Sequence, residues 1–420
     1  MARTKGALNK PKKTKNGLFN IELEKHIENN PIIKDKGHKW VTIGRMNTYY
    51  FDLLDLYNTS VTMKACVNFA VRAIVGQGLD IDRMKITNGD LTNPNYFTDW
   101  NTFINNFVLD YIIYGGAAFE IIKNKDGKTY SFFNVPFDTL RPSPMDEDGV
   151  IKSYWQSADW SAWAMNPPIE IPTFSFQEDE TISSGKPYIF VLKSYNPTNV
   201  YFPAPRYLSA LNQIQTEAQM QLYDLKMAVN QFVPQGMLTV NQMETEEEKQ
   251  AFLNNLQANY QGAQNAGNLM VTFKNQDDEN PVTFTPFTVS TESVNLYDTA
   301  NERVTNRICE SFGIPSKMLI GLPVDNQGFS NQGTVMQTAF NLYNVNIATN
   351  DRSIITGAIN NALAMNGIDT EIKFKPINYI LSENDVSAAE DGNAEVTDDT
   401  LTSEDDATEQ VISTSTENNA

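Results

Sequence analysis

Few side chains in this sequence of 420 residues could carry out catalytic chemistry. Its two histidines, His26 and His38, lie in a basic N-terminal segment, and its two cysteines, Cys66 and Cys309, lie in amphipathic helical patterns. A Ser-His-Asp or Cys-His catalytic site needs a histidine oriented by a third group, and a zinc site normally needs a cluster of His and Cys ligands. The sequence contains neither arrangement. We therefore expect two reduced thiols in a protein core, and neither a catalytic site nor a metal site.

One acidic cluster is a candidate for metal chemistry. Asp277, Asp278 and Glu279 could together bind Mg²⁺, an ion that stabilises the charge developed in phosphodiester reactions. A solvated turn before Pro281 is the simpler interpretation, because no catalytic or phosphate-binding motif accompanies the cluster. The sequence therefore favours a protein that is not an enzyme and needs no cofactor. A Mg²⁺-dependent phosphodiester enzyme is the remote alternative.

Charge is distributed unevenly along the chain, whose formal net charge is −19. Residues 1–40 carry +6, residues 381–420 carry −12, and the body between them carries the remaining −13. The two ends are polar and lack apolar periodicity, so we expect a flexible basic arm and a disordered acidic tail. No apolar stretch approaches 18 residues, and the basic N-terminus lacks the apolar core of a secretory signal. We therefore expect a cytoplasmic protein without a membrane span.

The elements that must position these residues follow from the apolar periodicity. Helical spacing predicts helices over 47–75 (or two helices broken near residues 58–60), 96–114, 206–232, 245–260 and 292–312, and another after 333. Alternating or β-rich runs predict a hairpin from 118–122 and 129–133, and strands at 189–192, 237–240, 269–273, 282–285 and 371–374. The fold class expected is α+β.

Two of the predicted helices have extensive polar faces. The helix over 292–312 has an apolar stripe through Val304, Ile308 and Phe312, and its other face carries charged and amide side chains. Such faces are excessive for a monomer. In a ring of subunits, one face of each helix could pack on neighbours while the other lines a solvated channel.

Several motifs in this chain resemble those of the portal, or head–tail connector, proteins of tailed bacteriophages. The most specific runs from Arg307 to Gly321 and contains Phe312-Gly313-Ile314-Pro315. Other segments are similar to the family's motifs and occur in the family's order: 115–122, 134–141, 205–210, 230–236, 265–271 and 329–331. The similarity covers roughly 45–380, whereas the Trp-rich insertion over 154–187 and the acidic tail depart from the family pattern.

The resemblance implies a ring-forming portal fold with long stem helices, a small β clip and an α/β wing. By position, it implies a wing over 41–244, a stem helix over 245–267, a clip over 268–290, a second stem helix over 291–316, the tunnel loop and the start of a kinked helix over 317–345, and a wing return and short crown over 346–380. Composition adds the flexible basic arm over 1–40 and the acidic disordered tail over 381–420.

The resemblance also implies roles for individual residues. The tunnel loop, which faces DNA, would contain Lys317, Leu322, Pro323, Val324, Asp325, Asn326 and Gln327. The stem lumen or a subunit interface would contain Glu302, Arg303, Asn306 and Arg307. The clip surface that meets terminase or an adaptor would contain Lys274, Asp277, Asp278 and Glu279.

The implied function is that of a portal: a ring at one capsid vertex through which double-stranded DNA is packaged and ejected. Its partners would be other copies of the chain in a dodecamer, the terminase large subunit, a head–tail adaptor, the major capsid protein and a scaffold protein, with no membrane. The ring would be assembled in the host cytoplasm and located in the virion. Another capsid or adaptor component is the alternative.

The charge of the body suggests how such a conduit would treat DNA. A wall of net negative charge repels phosphates, so DNA would slide past it rather than adhere. Lys317 and Arg303 or Arg307 could provide rings of cations that contact DNA transiently. The simpler alternative is that the two arginines pair with Glu302 or Glu310 at subunit interfaces.

Overall fold

The computed structural model describes residues 27–85, 91–176, 182–230, 234–241, 245–260, 268–274, 282–286, 291–322 and 332–377. Two consecutive helices, α1 (Tyr49–Thr59) and α2 (Val61–Val75), begin the helical core. The alternative with a helix break is confirmed, and the break falls at Ser60. Its backbone is extended, and its side-chain oxygen accepts a hydrogen bond from the Met63 amide at 3.0 Å, so Ser60 caps α2.

Helix α3 (Trp100–Tyr114) starts later than the apolar pattern predicts. Asp99 caps it by accepting a hydrogen bond from the Thr102 amide at 2.8 Å. The residues before Asp99 are not helical, because they form a turn held by the side chain of Asn95. The helix ends at Gly115, whose backbone is left-handed. A Cβ atom there would lie 2.5 Å from the carbonyl oxygen of Ala204, so only glycine fits.

The predicted hairpin is confirmed as β3 (Gly116–Lys123) and β4 (Tyr130–Val135), and β8 (Pro187–Lys193) pairs with the other edge of β3. All three strands are antiparallel to their neighbours. Helix α3 covers one face of this sheet, where Phe103 and Phe107 each lie 5.6 Å from the ring of Phe119. These rings pack α3 on the sheet.

A second sheet contains β5 (Leu140–Pro142), β6 (Ser153–Gln156) and β7 (Ile169–Pro172), and β7 and most of β6 belong to the Trp-rich insertion. Trp155 and Trp160 pack with Trp40, which follows β1 (Ile33–Lys34) and precedes β2 (Thr42–Ile43). The insertion therefore holds the segment that leads out of the basic arm.

The described part of the basic arm is attached to the body. The backbone amide of Ile27 donates to Gln215 at 2.7 Å, and the Gln215 side chain donates back to the Ile27 carbonyl at 3.0 Å. Together with β1 and Trp40, this contact connects residues 27–40 to the rest of the chain. Residues 1–26 and the acidic tail lie outside the described residues.

The second half of the chain contains α4 (Leu211–Asn230), β9 (Pro234–Asn241), α5 (Glu246–Tyr260), β10 (Asn268–Lys274), β11 (Val282–Pro286) and α6 (Thr291–Ser311). Strand β9 is central, parallel to β10 and antiparallel to β11. The predicted start of α5 is confirmed, because Thr245 accepts a hydrogen bond from the Glu248 amide at 3.2 Å.

The last helical segment consists of α7 (Gln332–Tyr343), a π-helical turn (Asn344–Ala348) and α8 (Thr349–Met365). The strand predicted at 371–374 is wrong, since Phe374 forms only an isolated antiparallel bridge with Leu79. Its neighbours bond to a loop rather than to a strand, with the Lys375 amide donating to the Gly78 carbonyl at 2.9 Å. None of the described helices is both long and apolar enough to cross a bilayer.

Candidate functional site

Helix α6 separates its apolar and polar residues as the sequence predicts. Val304, Ile308 and Phe312 are buried, and Tyr207 stacks on Phe312 with ring centroids 5.2 Å apart. The opposite face, which includes Arg303, is exposed. One face of α6 therefore packs into the body and the other is free to contact something outside the protomer.

The partner of α6 along its first half is α4. The hydroxyl of Tyr297 on α6 donates to Asp224 on α4 at 2.8 Å, and the rings of Tyr297 and Tyr223 lie 6.3 Å apart. Beyond Glu217, α4 has no fully buried residue up to Leu225. These two helices thus leave the core side by side. Helix α5, by contrast, connects the parallel strands β9 and β10.

The charged residues on the exposed face of α6 pair within the chain. Lys317 lies 3.3 Å from Glu302, and Arg307 lies 2.8 Å from Glu310 one turn further along the helix. Pairs as exposed as these contribute about 1 kcal/mol or less to stability. They nevertheless cancel charge locally. Arg303 is exposed and Asn306 is half-buried on the same helix.

These pairs differ from the ones considered from the sequence. Arg307 does pair with Glu310, but inside one protomer, and Glu302 pairs with Lys317 instead of an arginine. Between residues 297 and 317 the acids (Asp298, Glu302 and Glu310) equal the bases (Arg303, Arg307 and Lys317) in number. Charge is therefore balanced over this stretch, whereas α6 as a whole, which also contains Glu292, carries four acids and two bases.

The Phe312-Gly313-Ile314-Pro315 motif forms the turn that ends α6. The amide of Ile314 donates to the Cys309 carbonyl at 3.0 Å and the amide of Gly313 donates to the Glu310 carbonyl at 2.9 Å, which is the pairing of a Schellman motif. Gly313 has a φ of +71°, and a Cβ atom on it would lie 2.2 Å from Cδ1 of Ile347 in the π turn. The motif thus requires glycine for two reasons and contacts the kinked helix.

A short 3₁₀ helix, Lys317–Ile320, follows this turn and leads into the predicted tunnel loop. Ser316 caps it, and Gly321 ends it in the left-handed conformation. Leu322 is exposed. The remaining predicted loop residues, Pro323, Val324, Asp325, Asn326 and Gln327, lie outside the described part of the chain.

The helix predicted after residue 333 is present as α7 and α8, interrupted by the π turn, here called the kink, and polar contacts fix that turn. Both the amide and the hydroxyl of Thr349 donate to the Asn344 carbonyl, the hydroxyl at 2.8 Å. Arg352 donates to Asn344 at 3.1 Å and to the carbonyl oxygens of Ala73 and Ile74 at 2.7 and 2.9 Å. Arg352 thus joins the kink to the end of α2.

A buried ion pair fixes the start of α8. Both carboxylate oxygens of Asp351 accept hydrogen bonds from Nη2 of Arg206 at 2.8 Å, and the Asp351 side chain is 2% exposed. Burial raises the pKa of Asp351, and the neighbouring Arg206 opposes that shift. No local pattern marks this pair, because the two residues are 145 positions apart.

A second buried carboxylate connects α4 to the start of α2. Glu217 accepts hydrogen bonds from the Ser60 hydroxyl, and from the amide and hydroxyl of Thr62 at 3.1 and 2.7 Å. A carboxylate at a helix N-terminus is stabilised by the free amides and by the helix dipole. This contact anchors the buried half of α4, and the sequence contained no signal for it.

The two cysteines meet the prediction of reduced core thiols. Cys66 on α2 and Cys309 on α6 are both free and buried, with their sulfur atoms 3.9 Å apart. Contact with the Cys309 thiol, together with burial, raises the pKa of Cys66. Neither group is suited to act as an exposed nucleophile.

The predicted clip residues are only partly within the described chain. Lys274 is the last residue of β10, and Asp277, Asp278 and Glu279 lie outside the described residues, between β10 and β11. Among the residues that are described, no group of three or more His, Cys, Asp or Glu side chains could hold a metal ion.

Comparison with known proteins identifies one family. The model described as "Phage portal protein" matches residues 64–376, which include α3, α4, α6 and the kinked helix. No curated protein matches the sequence.

Three solved structures share the fold, each with a low sequence identity. A chain of "Neck of empty GTA particle computed with C6 symmetry" is 14% identical, with a TM-score of 0.53, covering 86% of this chain and 90% of that one. A chain of "Virion of native gene transfer agent (GTA) particle" is 16% identical, with a TM-score of 0.51, covering 81% and 87%. A chain of "Neck of native GTA particle computed with C12 symmetry" is 15% identical, with a TM-score of 0.50, covering 81% and 87%.

Proposed function

The chain belongs to the phage portal protein family, and on that premise we propose that it forms a ring at one capsid vertex and is the conduit for double-stranded DNA. The observation that carries the proposal is the family match over 64–376, which spans the paired helices α4 and α6, the turn at Gly313 and the kinked helix. Solved particle necks and a virion share the fold, and two of those necks were computed with rotational symmetry. The proposed location is therefore the virion.

Helices α4 and α6 form the stem in this proposal. They pack on each other through Tyr297 and Asp224, and both extend away from the buried core. This assignment replaces the stem of α5 and α6 expected from the sequence. The expected boundary at residue 244 divides β9 from its two neighbouring strands, whereas the α4 and α6 assignment keeps that sheet intact.

The clip is correspondingly larger than expected. It consists of β9, α5, β10 and β11, which together run from Pro234 to Pro286. Lys274, with Asp277, Asp278 and Glu279 in the following connection, is placed at its edge, where the terminase large subunit and then an adaptor would dock. The wing, residues 41 to about 210, would face the major capsid protein and a scaffold protein.

The exposed face of α6 would line the channel and touch DNA without holding it. The helix carries four acids (Glu292, Asp298, Glu302 and Glu310) against two arginines, so its net charge is negative and repels phosphates. Glu310 and Glu302 are joined to Arg307 and Lys317, which weakens that repulsion without reversing it. Arg303 is an exposed cation on the same helix.

Packaging by a phage whose own portal gene has been inactivated tests the function. Complementation with the full chain should restore DNA inside particles, measured as DNA protected from nuclease. Replacing residues 323–330, the proposed tunnel loop, with a Gly/Ser segment of equal length should reduce protected DNA while particles still form.

The matched control is the same kind of replacement at 177–181, in the Trp-rich insertion, which should leave packaging intact. Protected DNA at the wild-type level after replacement of 323–330 would remove the loop from the mechanism. Failure of the unaltered chain to enter particles would contradict the portal assignment itself.

A further inference from the structure

The two cysteines of the chain are in contact with each other inside the core. The sequence of 420 residues contains two cysteines, Cys66 and Cys309. They are 243 positions apart, yet the fold places their sulfur atoms 3.9 Å from each other. Packing alone does not require such a contact, because a small apolar side chain fills the same space and a thiol is distinguished by its reactivity. A pair of adjacent thiols can be oxidised to a single bond, which an isolated thiol cannot.

Neighbouring contacts hold the backbone that carries each thiol. One turn before Cys66, the amide and hydroxyl of Thr62 donate to Glu217 at 3.1 and 2.7 Å. In the turn that ends α6, the carbonyl of Cys309 accepts a hydrogen bond from the Ile314 amide at 3.0 Å. The thiol pair is therefore a fixed feature of the contact between α2 and α6.

The distance between the two sulfur atoms is short enough to close. They lie 3.9 Å apart, and the sulfur atoms of a disulfide lie about 2.05 Å apart, so they must approach by about 1.9 Å. A cysteine sulfur moves when its side chain rotates about the Cα–Cβ bond between staggered conformations. Rotation of the two side chains can supply this approach while the helices stay in place.

We propose that Cys66 and Cys309 form a site of reversible oxidation, at which a hydroperoxide joins α2 to α6 through a disulfide bond. The Cys309 thiolate attacks one oxygen of hydrogen peroxide and the O–O bond breaks. Cys309 becomes a sulfenic acid, and the released hydroxide takes up the thiol proton to form water. The sulfur of Cys66 then attacks the Cys309 sulfur, the S–O bond breaks, and the hydroxyl group leaves with the Cys66 proton as a second water.

The order of the two steps follows from the different environments of the thiols. Contact with the Cys66 thiol lowers the pKa of Cys309, and Lys317 makes a smaller contribution in the same direction. The thiolate is the form that attacks, so Cys309 reacts first and Cys66 resolves the intermediate. Both residues are buried, but hydrogen peroxide is close to water in size and is excluded less than a bulky thiol reagent.

The bond would fix the end of α6 to the helical core. Cys309 lies directly before the turn at Gly313, and this turn leads into the proposed tunnel loop. Arg352 already joins the kink to the end of α2, so a disulfide would add α6 to the same unit. Cytosolic reductants keep thiols reduced, so the bond would form outside a reducing compartment. That timing rests on the proposed location in the virion, whereas formation of the bond does not.

The test uses the purified full chain and counts its thiols. The reduced chain is treated with hydrogen peroxide, the peroxide is removed, and the chain is unfolded in a maleimide before its intact mass is measured. Untreated chains should carry two maleimide groups. Treated chains should carry none and should have lost two hydrogens, about 2 Da, and dithiothreitol should restore both thiols. The urea midpoint of the treated chain should rise by about 0.5–1 M, because the bond closes a long loop in the unfolded state.

A double variant, Cys66→Ala with Val67→Cys, is the matched control. It keeps two thiols at buried positions but turns one of them by about 100° around α2, away from Cys309. After the same treatment it should still carry two maleimide groups and show no rise in the urea midpoint.

Three results would overturn the proposal. The first is a wild-type chain that keeps both thiols, or gains oxygen instead of losing hydrogen. The second is a cross-linked product of twice 47.2 kDa, which would place the bond between chains. The third is a disulfide that forms equally fast in the double variant, since contact between the two native thiols would then not matter. None of these measurements requires a ring, so they separate this site from the proposed function.

Discussion

The contact between the end of α6 and the kinked helix gives the sharpest quantitative prediction, through Gly313→Ala. Alanine at a φ of +71° costs about 1–2 kcal/mol, because its Cβ atom crowds the backbone in the left-handed region. That Cβ atom would also lie 2.2 Å from Cδ1 of Ile347, far inside the usual carbon–carbon contact of about 3.5–4.0 Å. Cδ1 is the far end of a half-buried side chain that can rotate, so relieving the overlap costs only about a further 0.5–1.5 kcal/mol.

Gly321→Ala separates the two contributions. Gly321 has a φ of +85° at the end of the 3₁₀ helix, and no described atom lies within 4 Å of the place its Cβ would occupy. It therefore incurs the backbone cost alone, about 1–2 kcal/mol. Gly313→Ala should lower the free energy of unfolding by about 0.5–1.5 kcal/mol more than Gly321→Ala does.

Urea denaturation at one fixed protein concentration measures both losses, and a third variant identifies the clash. Ile347→Val removes Cδ1 and leaves Cγ1, which would lie 3.6 Å from the new Cβ, an ordinary contact. In the presence of Ile347→Val, the cost of Gly313→Ala should fall to that of Gly321→Ala. Equal losses for the two alanine variants, with no relief from Ile347→Val, would refute the packing of the π turn on this motif.

Three further predictions concern buried groups. Burial raises the pKa of the Asp110 carboxyl to about 7, so the folded chain keeps a proton that the unfolded chain releases near pH 4. The free energy of unfolding should therefore fall as the pH rises from about 4 to 7. Asp110→Asn should flatten that part of the pH profile of the urea midpoint, and an unchanged slope would contradict the assignment. Arg206→Met leaves the Asp351 carboxylate buried without its partner and should lower the free energy of unfolding by about 2–3 kcal/mol. Adding Asp351→Leu should restore part of that loss, and additive losses in the double variant would contradict the coupling. Cys66 and Cys309 should be unreactive toward a thiol reagent in the native protein and should both react in denaturant, which a colorimetric thiol assay measures. Fast labelling of the native protein would mean that α2 and α6 separate.

Local features of this fold were predictable from the sequence because a few neighbouring residues determine them. Thr245 begins α5 through a capping box, Gly115 ends α3 because of its left-handed backbone, and the stripe through Val304 and Ile308 is buried. Each depends on spacing or on the steric freedom of one residue. The turn at Gly313 was recognisable for the same reason, as a motif of adjacent residues.

The pairing of distant elements was not predictable. Asp224 and Tyr297 join α4 to α6 across 73 positions, so the periodicity of each helix could not indicate which two helices pack together. The pairing of β9 with β10 and β11 likewise could not be predicted from the pattern of each strand. Charge at the level of composition was a poor guide to a single face, because Glu302 and Lys317 cancel each other locally.

The assembly state of the purified full chain tests the central claim most directly. Electron microscopy should show rings with a central channel and rotational symmetry, and a reconstruction should place α4 and α6 around that channel. Single chains at every concentration, or particles without a central hole, would contradict the account.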